Sequence, residues 1–425
     1  MRLRRSTLSV LCTLSLVFLA ACGGGGGGAT GGGGVPLIPV PSAPTPPPAQ
    51  EPIGTVRQMY DGALTPGLAV STFRNIDRLF PTRTIAKGNV ASTLAKHDRQ
   101  ITALTFTSNG TTYSLADFIG QNRVSGLLVL KDGKVALERY ELGNTEQTRW
   151  MSMSIAKSMS STLVGAALRD GLIASLDDQV VRYVPRLTGS AYDGVTVRQV
   201  LTMTSGVRWN ETYTDPTSDR RAMLEAQISQ KPGAILDLMA KLPRAAEPGA
   251  RFNYSTGETH ILGEILRGAI QRPLADYLSE KVWKKYGMQA DANWWVESPD
   301  GLEVAGSGLS ATLRDYGRFA QFFMDGGIAG GEKILPDNWL ADATKPTALK
   351  GGGTVDYGYM WWLDGAPAGA LDEGAFNAFG IFGQTIHINP KERLVVVVWS
   401  ARTQPSAPAP VNEAAFFTAV TRAMQ

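Results

Sequence analysis

Cysteine is almost missing from this chain. There are two, Cys12 and Cys22, both within the first 22 of 425 residues. Everything beyond them has no means to form an internal disulfide, a thiolate zinc site or a cysteine nucleophile. Histidine is nearly as scarce: His97, His260 and His387 are all of it. No two of them stand at a short metal-ligand spacing, so the expectation is of no metal and no cofactor. Charge of one sign is lacking too. The formal net charge is +3, and Arg2, Arg4 and Arg5 supply three positives in a stretch without acids. The remainder is neutral, which argues against nucleic acid as a partner, because that needs a basic face. After the leader no apolar run is long enough to span a bilayer. Gly-x-Ser-x-Gly, the turn that exposes the nucleophile in many serine hydrolases, does not occur.

What is present begins with a leader. The three arginines precede an apolar stretch from Leu8 to Ala21, the shape of a secretory signal over residues 1–21. It ends Leu19-Ala20-Ala21-Cys22, which resembles the lipobox of bacterial lipoproteins. The resemblance implies that Cys22 is lipidated. Ten glycines follow within residues 23–34, and eight prolines fall between Pro36 and Pro52. Glycine runs are flexible and proline runs semi-extended, so residues 22–52 read as a tether. Acyl chains on Cys22 would hold the protein at a membrane by burying methylenes. Gly23 is not Asp, so the lipobox resemblance implies an envelope lipoprotein of the outer membrane, facing the periplasm.

The body carries 43% hydrophobic residues in the whole-chain composition, enough for a large packed domain. Residues 53–99 are expected to pack on it as an N-terminal extension, with the main domain over 100–425. Gly126 to Tyr140 reads as a hairpin around Asp132-Gly133. Gln384 to Trp399 reads as a second hairpin, and its run Val395 to Val398 suits a central strand covered on both faces. Between the hairpins the apolar spacing is helical: 154–170, 196–203, 259–269, 274–285 and 312–324, with a closing helix over 412–424. Strands at both ends and helices between them predict an α+β (α/β) fold. It has an antiparallel sheet flanked by helices, with an inserted helical subdomain over roughly 155–345.

The chemistry-bearing candidates are serines. Ser-x-x-Lys occurs at Ser154-Ile155-Ala156-Lys157. With 26 serines and 14 lysines in 425 residues, about one such match is due to chance, so the spacing alone says little. Its setting says more. Ser154 opens a predicted helix, and Lys157 returns to the same face one turn on. A neutral amine there could take the serine proton if burial lowered its pKa from about 10.4. Backbone N–H groups at the helix start could face a developing anion. The bland alternative is a helix-capping serine beside a surface lysine. A second element is Phe252-Asn253-Tyr254-Ser255-Thr256, after a Pro248-Gly249 turn. A third is Ala378-Phe379-Gly380-Ile381-Phe382-Gly383, just before a strand.

In this order and spacing the three elements resemble those of the serine β-lactamase and penicillin-binding-protein clan of hydrolases. Within it the chain is most similar to 6-aminohexanoate-dimer hydrolases and related esterases, over roughly residues 100–425. Val197 to Val207, Gly308 to Tyr316 and Tyr357 to Trp362 extend the match. The resemblance implies a β-lactamase/transpeptidase-like fold and a small-molecule amide or ester substrate. It implies Ser154 as acylated nucleophile, Lys157 as its base and Tyr254 as a proton-transfer partner. The backbone N–H groups of Ser154 and Ile381 would form the oxyanion hole. Tyr213, Thr256, Trp361 and Gly380 are implied as substrate-binding residues, with Tyr213 on a loop over the substrate and one of Trp361 and Trp362 walling the pocket.

Two departures stand out. The clan usually has a Lys or His at the third motif, where Ala378 and Phe379 stand here. It usually has Asn at the place of Thr256. Both departures predict poor β-lactam turnover and leave acyl transfer to a linear amide or ester intact. A carboxylesterase without amidase activity, and an envelope-tethered sensor that acylates without turnover, are the alternatives.

Overall fold

The computed structural model describes residues 50–425. The signal-like segment, Cys22 and nearly all of the tether lie outside the described residues. Residues Glu51–Gln425 form one compact unit.

Its frame is a six-stranded sheet in which every neighbouring pair is antiparallel. The order is Trp362–Leu363, Phe376–Gly380, Gln384–Asn389, Leu394–Ser400, Val124–Lys131, Lys134–Tyr140. Both expected hairpins are in it. In the first, Asp132 and Gly133 both take left-handed backbone (φ 51° and 74°), the two-residue turn whose twist suits a hairpin. The valine run is central, as its two-sided hydrophobicity predicted. Val395 and Val397 enter the principal core, Val396 and Val398 a smaller one on the opposite face. The closing helix Glu413–Ala423 covers that smaller face, where Phe416 stacks on Phe118 at 3.7 Å between ring centres. The helix Leu313–Met324 packs on the other.

The segment 155–345 is not helical throughout, which corrects the subdomain expected there. Ala292–Trp295 and Leu309–Thr312 are strands of a second, four-stranded antiparallel sheet, in the order Thr82–Ile85, Ala292–Trp295, Leu309–Thr312, Arg149–Met151. These strands are four residues long and largely buried on both sides, so they show no polar–apolar alternation to read. The sheet matters for the site, because Arg149–Met151 delivers the chain to Ser154. Residues 53–99 supply its edge strand and send Met59, Tyr60, Phe73 and Ile85 into the principal core. Among the described residues no helix is long and apolar enough to cross a membrane.

Candidate active site

Ser154 is the N-cap residue of the helix Ile155–Arg169, and its side chain makes no capping hydrogen bond. Its hydroxyl lies 2.9 Å from Lys157 Nζ instead. Lys157 is 1% exposed, so neither half of the bland reading, capping serine or surface lysine, holds. The residue before the serine, Met153, is held at φ 42°, a backbone region that costs a non-glycine residue energy and that clusters at functional sites. The short strand and this turn aim Ser154 into a cleft of about 840 Å³.

Lys157 Nζ has two further partners, Thr256 Oγ1 at 3.0 Å and the Gly306 carbonyl at 3.0 Å. As an ammonium Lys157 donates to all three; as a neutral amine it can keep Thr256 and Gly306 with its two hydrogens and turn its lone pair to the Ser154 hydroxyl proton. Burial pushes the Lys157 pKa down to about 7; the carboxylate of Glu211 opposes the shift and the guanidinium of Arg220 adds to it. A base with that pKa is half deprotonated near neutral pH.

Tyr254 arrives on the loop ahead of the helix Thr256–Ile270, whose N-cap is Ser255. Lys157 Nζ lies 5.1 Å from its ring centre, and the ring packs on Trp362 at 5.4 Å. Burial, then the nearby Glu211, raise the phenol pKa, against a hydrogen bond with Ser154 and the charge of Arg220. The phenol therefore stays protonated at neutral pH and can donate. Across the cleft the strand ending at Gly380 passes close to the nucleophile turn. A Cβ on Gly380 would sit 2.6 Å from the Ser152 carbonyl oxygen, so only glycine allows the approach. Among the described residues the N–H groups of Ser154 and Ile381 donate to no backbone or side-chain acceptor. Both residues line the cleft, and free donors there suit the oxyanion that attack of the Ser154 hydroxyl on a carbonyl creates.

Four sequence-derived positions line the cleft with Ser154 and Tyr254: Tyr213, Gly380, Ile381 and Trp362. Two others do not. Trp361 is fully buried, 4.6 Å from Phe323 and 5.1 Å from Phe376 between ring centres, and belongs to the core. Successive strand residues point to opposite sides, so Trp362 is the one that walls the cleft. Thr256 is 2% exposed and is not a cleft residue. Its hydroxyl accepts from Lys157 and donates to Glu211, while its backbone N–H donates to the other Glu211 oxygen at 2.8 Å. It therefore orients the lysine. The three histidines are absent from the cleft lining, and His260 and His387 are core residues kept neutral by burial.

Sequence reasoning missed Glu211, Arg220, Gly306 and Arg402. Glu211 stands two residues before Tyr213, lines the cleft and completes a chain Glu211–Thr256–Lys157–Ser154. An acid beside the singled-out tyrosine was the available signal. Arg220 is 3% exposed, donates to the Tyr60 hydroxyl and stacks over that ring at 4.4 Å. The N-terminal extension thus braces the Tyr213 loop, as does Asp61 through Arg221, which donates onward to the Tyr213 carbonyl.

Comparison with known proteins agrees with this geometry. A family model described as Beta-lactamase matches residues 114–419. The 6-aminohexanoate-dimer hydrolase of Paenarthrobacter ureafaciens is 30% identical over 65% of this chain and 72% of its own. A solved Bacillus anthracis protein provisionally named 6-aminohexanoate-dimer hydrolase superposes with a TM-score of 0.73 at 22% identity, covering 84% of this chain and 92% of that one. A family VIII carboxylesterase structure superposes with a TM-score of 0.55 at 18% identity, covering 70% and 92%. At those identities the two structures speak for the fold.

Proposed function

The chain belongs to the β-lactamase family and is a serine hydrolase, and from that premise we propose that it cleaves linear amides or esters through an acyl-enzyme on Ser154. The observation that carries this reading is the 2.9 Å contact between Ser154 and a lysine whose pKa burial lowers to about 7. In the proposed cycle Lys157 takes the hydroxyl proton as Ser154 attacks the carbonyl carbon. The oxyanion is held by the N–H groups of Ser154 and Ile381, and Tyr254 protonates the leaving amine or alkoxide. Water then attacks the acyl-enzyme by the reverse proton route, releasing acid and free serine.

Esters are intrinsically the more reactive members of that class, because their oxygen leaving group departs more easily than an amide nitrogen. Phe379 is 39% exposed at the cleft, beside Trp362 and Ile381, and favours an apolar acyl chain. An esterase reading of the same site is therefore the second one. The test is a substrate panel on the full chain: a linear 6-aminohexanoate dimer, p-nitrophenyl hexanoate and nitrocefin. Steady turnover of the ester and the linear amide supports the first reading, and ester turnover alone the second. A single acylation burst with no turnover refutes both.

Nitrocefin should rank below the ester in kcat/KM. Ala378 and Phe379 supply no cation where the clan pairs the lactam carboxylate. A lost charge-assisted hydrogen bond costs roughly 1.5–3 kcal/mol, about ten- to a hundredfold. Phe379→Lys should narrow the gap; nitrocefin turnover equal to the ester in the wild type would refute this argument.

A further prediction concerns Glu211. Its charge holds the Lys157 pKa up. Catalysis needs neutral lysine, so the acid limb of kcat/KM follows that pKa. Glu211→Gln keeps the side-chain shape and removes the charge, so the acid limb should move to lower pH. An unmoved or raised midpoint in the pH–rate profile would exclude Glu211 as the group that tunes the base.

A further inference from the structure

The cleft that holds Ser154 is also lined by the loop after the last strand of the large sheet, through Arg402, Pro405, Ser406 and Ala407, and by Glu413 at the start of the closing helix. Arg402 is the one arginine or lysine among the described lining residues. Its side chain is only 15% exposed, yet it is poorly paired. Of the five N–H donors a guanidinium carries, one is used, on the Ala407 carbonyl at 3.1 Å. Its acidic neighbour Glu413 approaches to 3.6 Å, too long for a hydrogen bond. Arg402 Nε and Glu413 Oε1 both lack a hydrogen-bond partner, and Oε1 is the atom in the 3.6 Å ion pair with Arg402 Nη2. Burial raises the Glu413 pKa, with the Arg402 charge opposing it.

This arginine is also held in place. A Cβ on Gly383 would come within 2.3 Å of Arg402 Nε, so the guanidinium lies against the turn that carries Ile381. The Phe382 N–H donates to the Pro405 carbonyl at 3.1 Å, and Gln404 Nε2 donates to the Gly62 carbonyl at 3.0 Å. Turn, loop and N-terminal extension thus fix one another. A partly desolvated, preorganised fork with most of its donors unspent, lining a substrate cleft, suits a planar anion.

We infer that Arg402 binds a carboxylate of the substrate, so that this hydrolase acts on linear amides or esters bearing an anionic group away from the scissile bond. The inference rests on the reading of Ser154 as nucleophile. It places carboxylate recognition on the loop after the last strand rather than at the third motif, where Ala378 and Phe379 stand. A flexible chain can extend past Gly380 and Gly383 to Arg402. Glu413 then sets the strength of the contact, because its charge competes with the substrate for the same guanidinium.

The test compares three esters on the full chain: p-nitrophenyl hexanoate, the mono-p-nitrophenyl ester of adipic acid, and 4-(hexanoyloxy)benzoate. The first is neutral; the others carry the carboxylate on the acyl side and on the leaving-group side. The readout is the ratio of kcat/KM for each anionic ester to that for the neutral one, so general loosening of the turn cancels. Arg402→Gln should lower the ratio at least tenfold for one anionic ester, chiefly through KM. Arg402→Lys should recover part of the loss, and Glu413→Gln should raise the ratio. If Arg402→Gln leaves both ratios within twofold, or lowers neither while all rates fall together, Arg402 is structural and the inference is overturned. Failure of the underlying reading looks different: the neutral ester would not be turned over at all.

Discussion

Ser154→Ala is expected to abolish turnover of every substrate, by about four orders of magnitude or more, and to abolish covalent labelling by a fluorophosphonate. The fold should survive. The Ser154 hydroxyl caps nothing, Lys157 Nζ keeps Thr256 and Gly306 when it is lost, and the Tyr254 ring stays packed on Trp362. The helix start is secured by backbone bonds such as Lys157 N–H to the Ser154 carbonyl at 3.0 Å, which alanine preserves. Thermal unfolding should therefore shift by no more than a few degrees, the effect of about 1 kcal/mol or less in a body of this size. A variant that is folded and active would remove Ser154 from the mechanism. One that is folded, inactive and still labelled would move the nucleophile elsewhere in the cleft.

Lys157→Met should cost activity comparably, because nucleophile and base act as a unit and their losses do not add. Its effect on stability separates the base from a merely structural lysine. The folded-state pKa of Lys157 is lowered from 10.5 to about 7 by burial. Between those values the unfolded chain holds a proton that the folded protein does not, so stability rises with pH across the window. The penalty for burying the amine is absent above about pH 10.5. It grows as pH falls and is complete below about 7. Each tenfold loss of proton affinity on folding is worth about 1.4 kcal/mol, so the full penalty is of the order of a few kcal/mol. Methionine carries no such penalty. It does leave the buried Gly306 carbonyl without its donor, at roughly 1–3 kcal/mol. At pH 7 the burial penalty is the larger of the two, so the variant should be at least as stable as the parent. Its stability should also lack the parent's rise between pH 7 and pH 10. Denaturant titrations at several pH values read this directly. An unchanged pH slope would mean that Lys157 is protonated in the folded protein and cannot be the base.

How much of this was legible in the chain follows from how local each signal is. The Asp132-Gly133 hairpin and the valine strand could be read because turn chemistry and apolar runs lie within a few residues. The strands Ala292–Trp295 and Leu309–Thr312 could not, because four residues buried on both faces carry no period. Trp361 and Trp362 are chemically alike. Only the pairing of Trp362 with Asn377 on an edge strand decides which ring turns to the cleft. Thr256 sits where the clan resemblance expects a substrate contact. Its hydroxyl is instead spent between Lys157 and Glu211, a contact 45 residues apart in the chain.

The sequence by itself determined the family, the α+β class, and the pairing of Ser154 with Lys157. An i, i+3 pair at the start of a helix is set by helical geometry whatever surrounds it. The tertiary structure alone decided whether that pair can work. The lysine's pKa is a property of burial, and its burial comes from Gly306, Thr256 and the Tyr254 ring, brought together from segments about 100 and 150 residues further along. The same is true of the charges that tune it. Glu211 reaches the site on a loop and Arg220 on the helix Asp219–Ile228 that follows it, tied to the Tyr60 hydroxyl. Electrostatic effects depend on distance and local dielectric rather than on chain separation, so no local pattern of residues announces them.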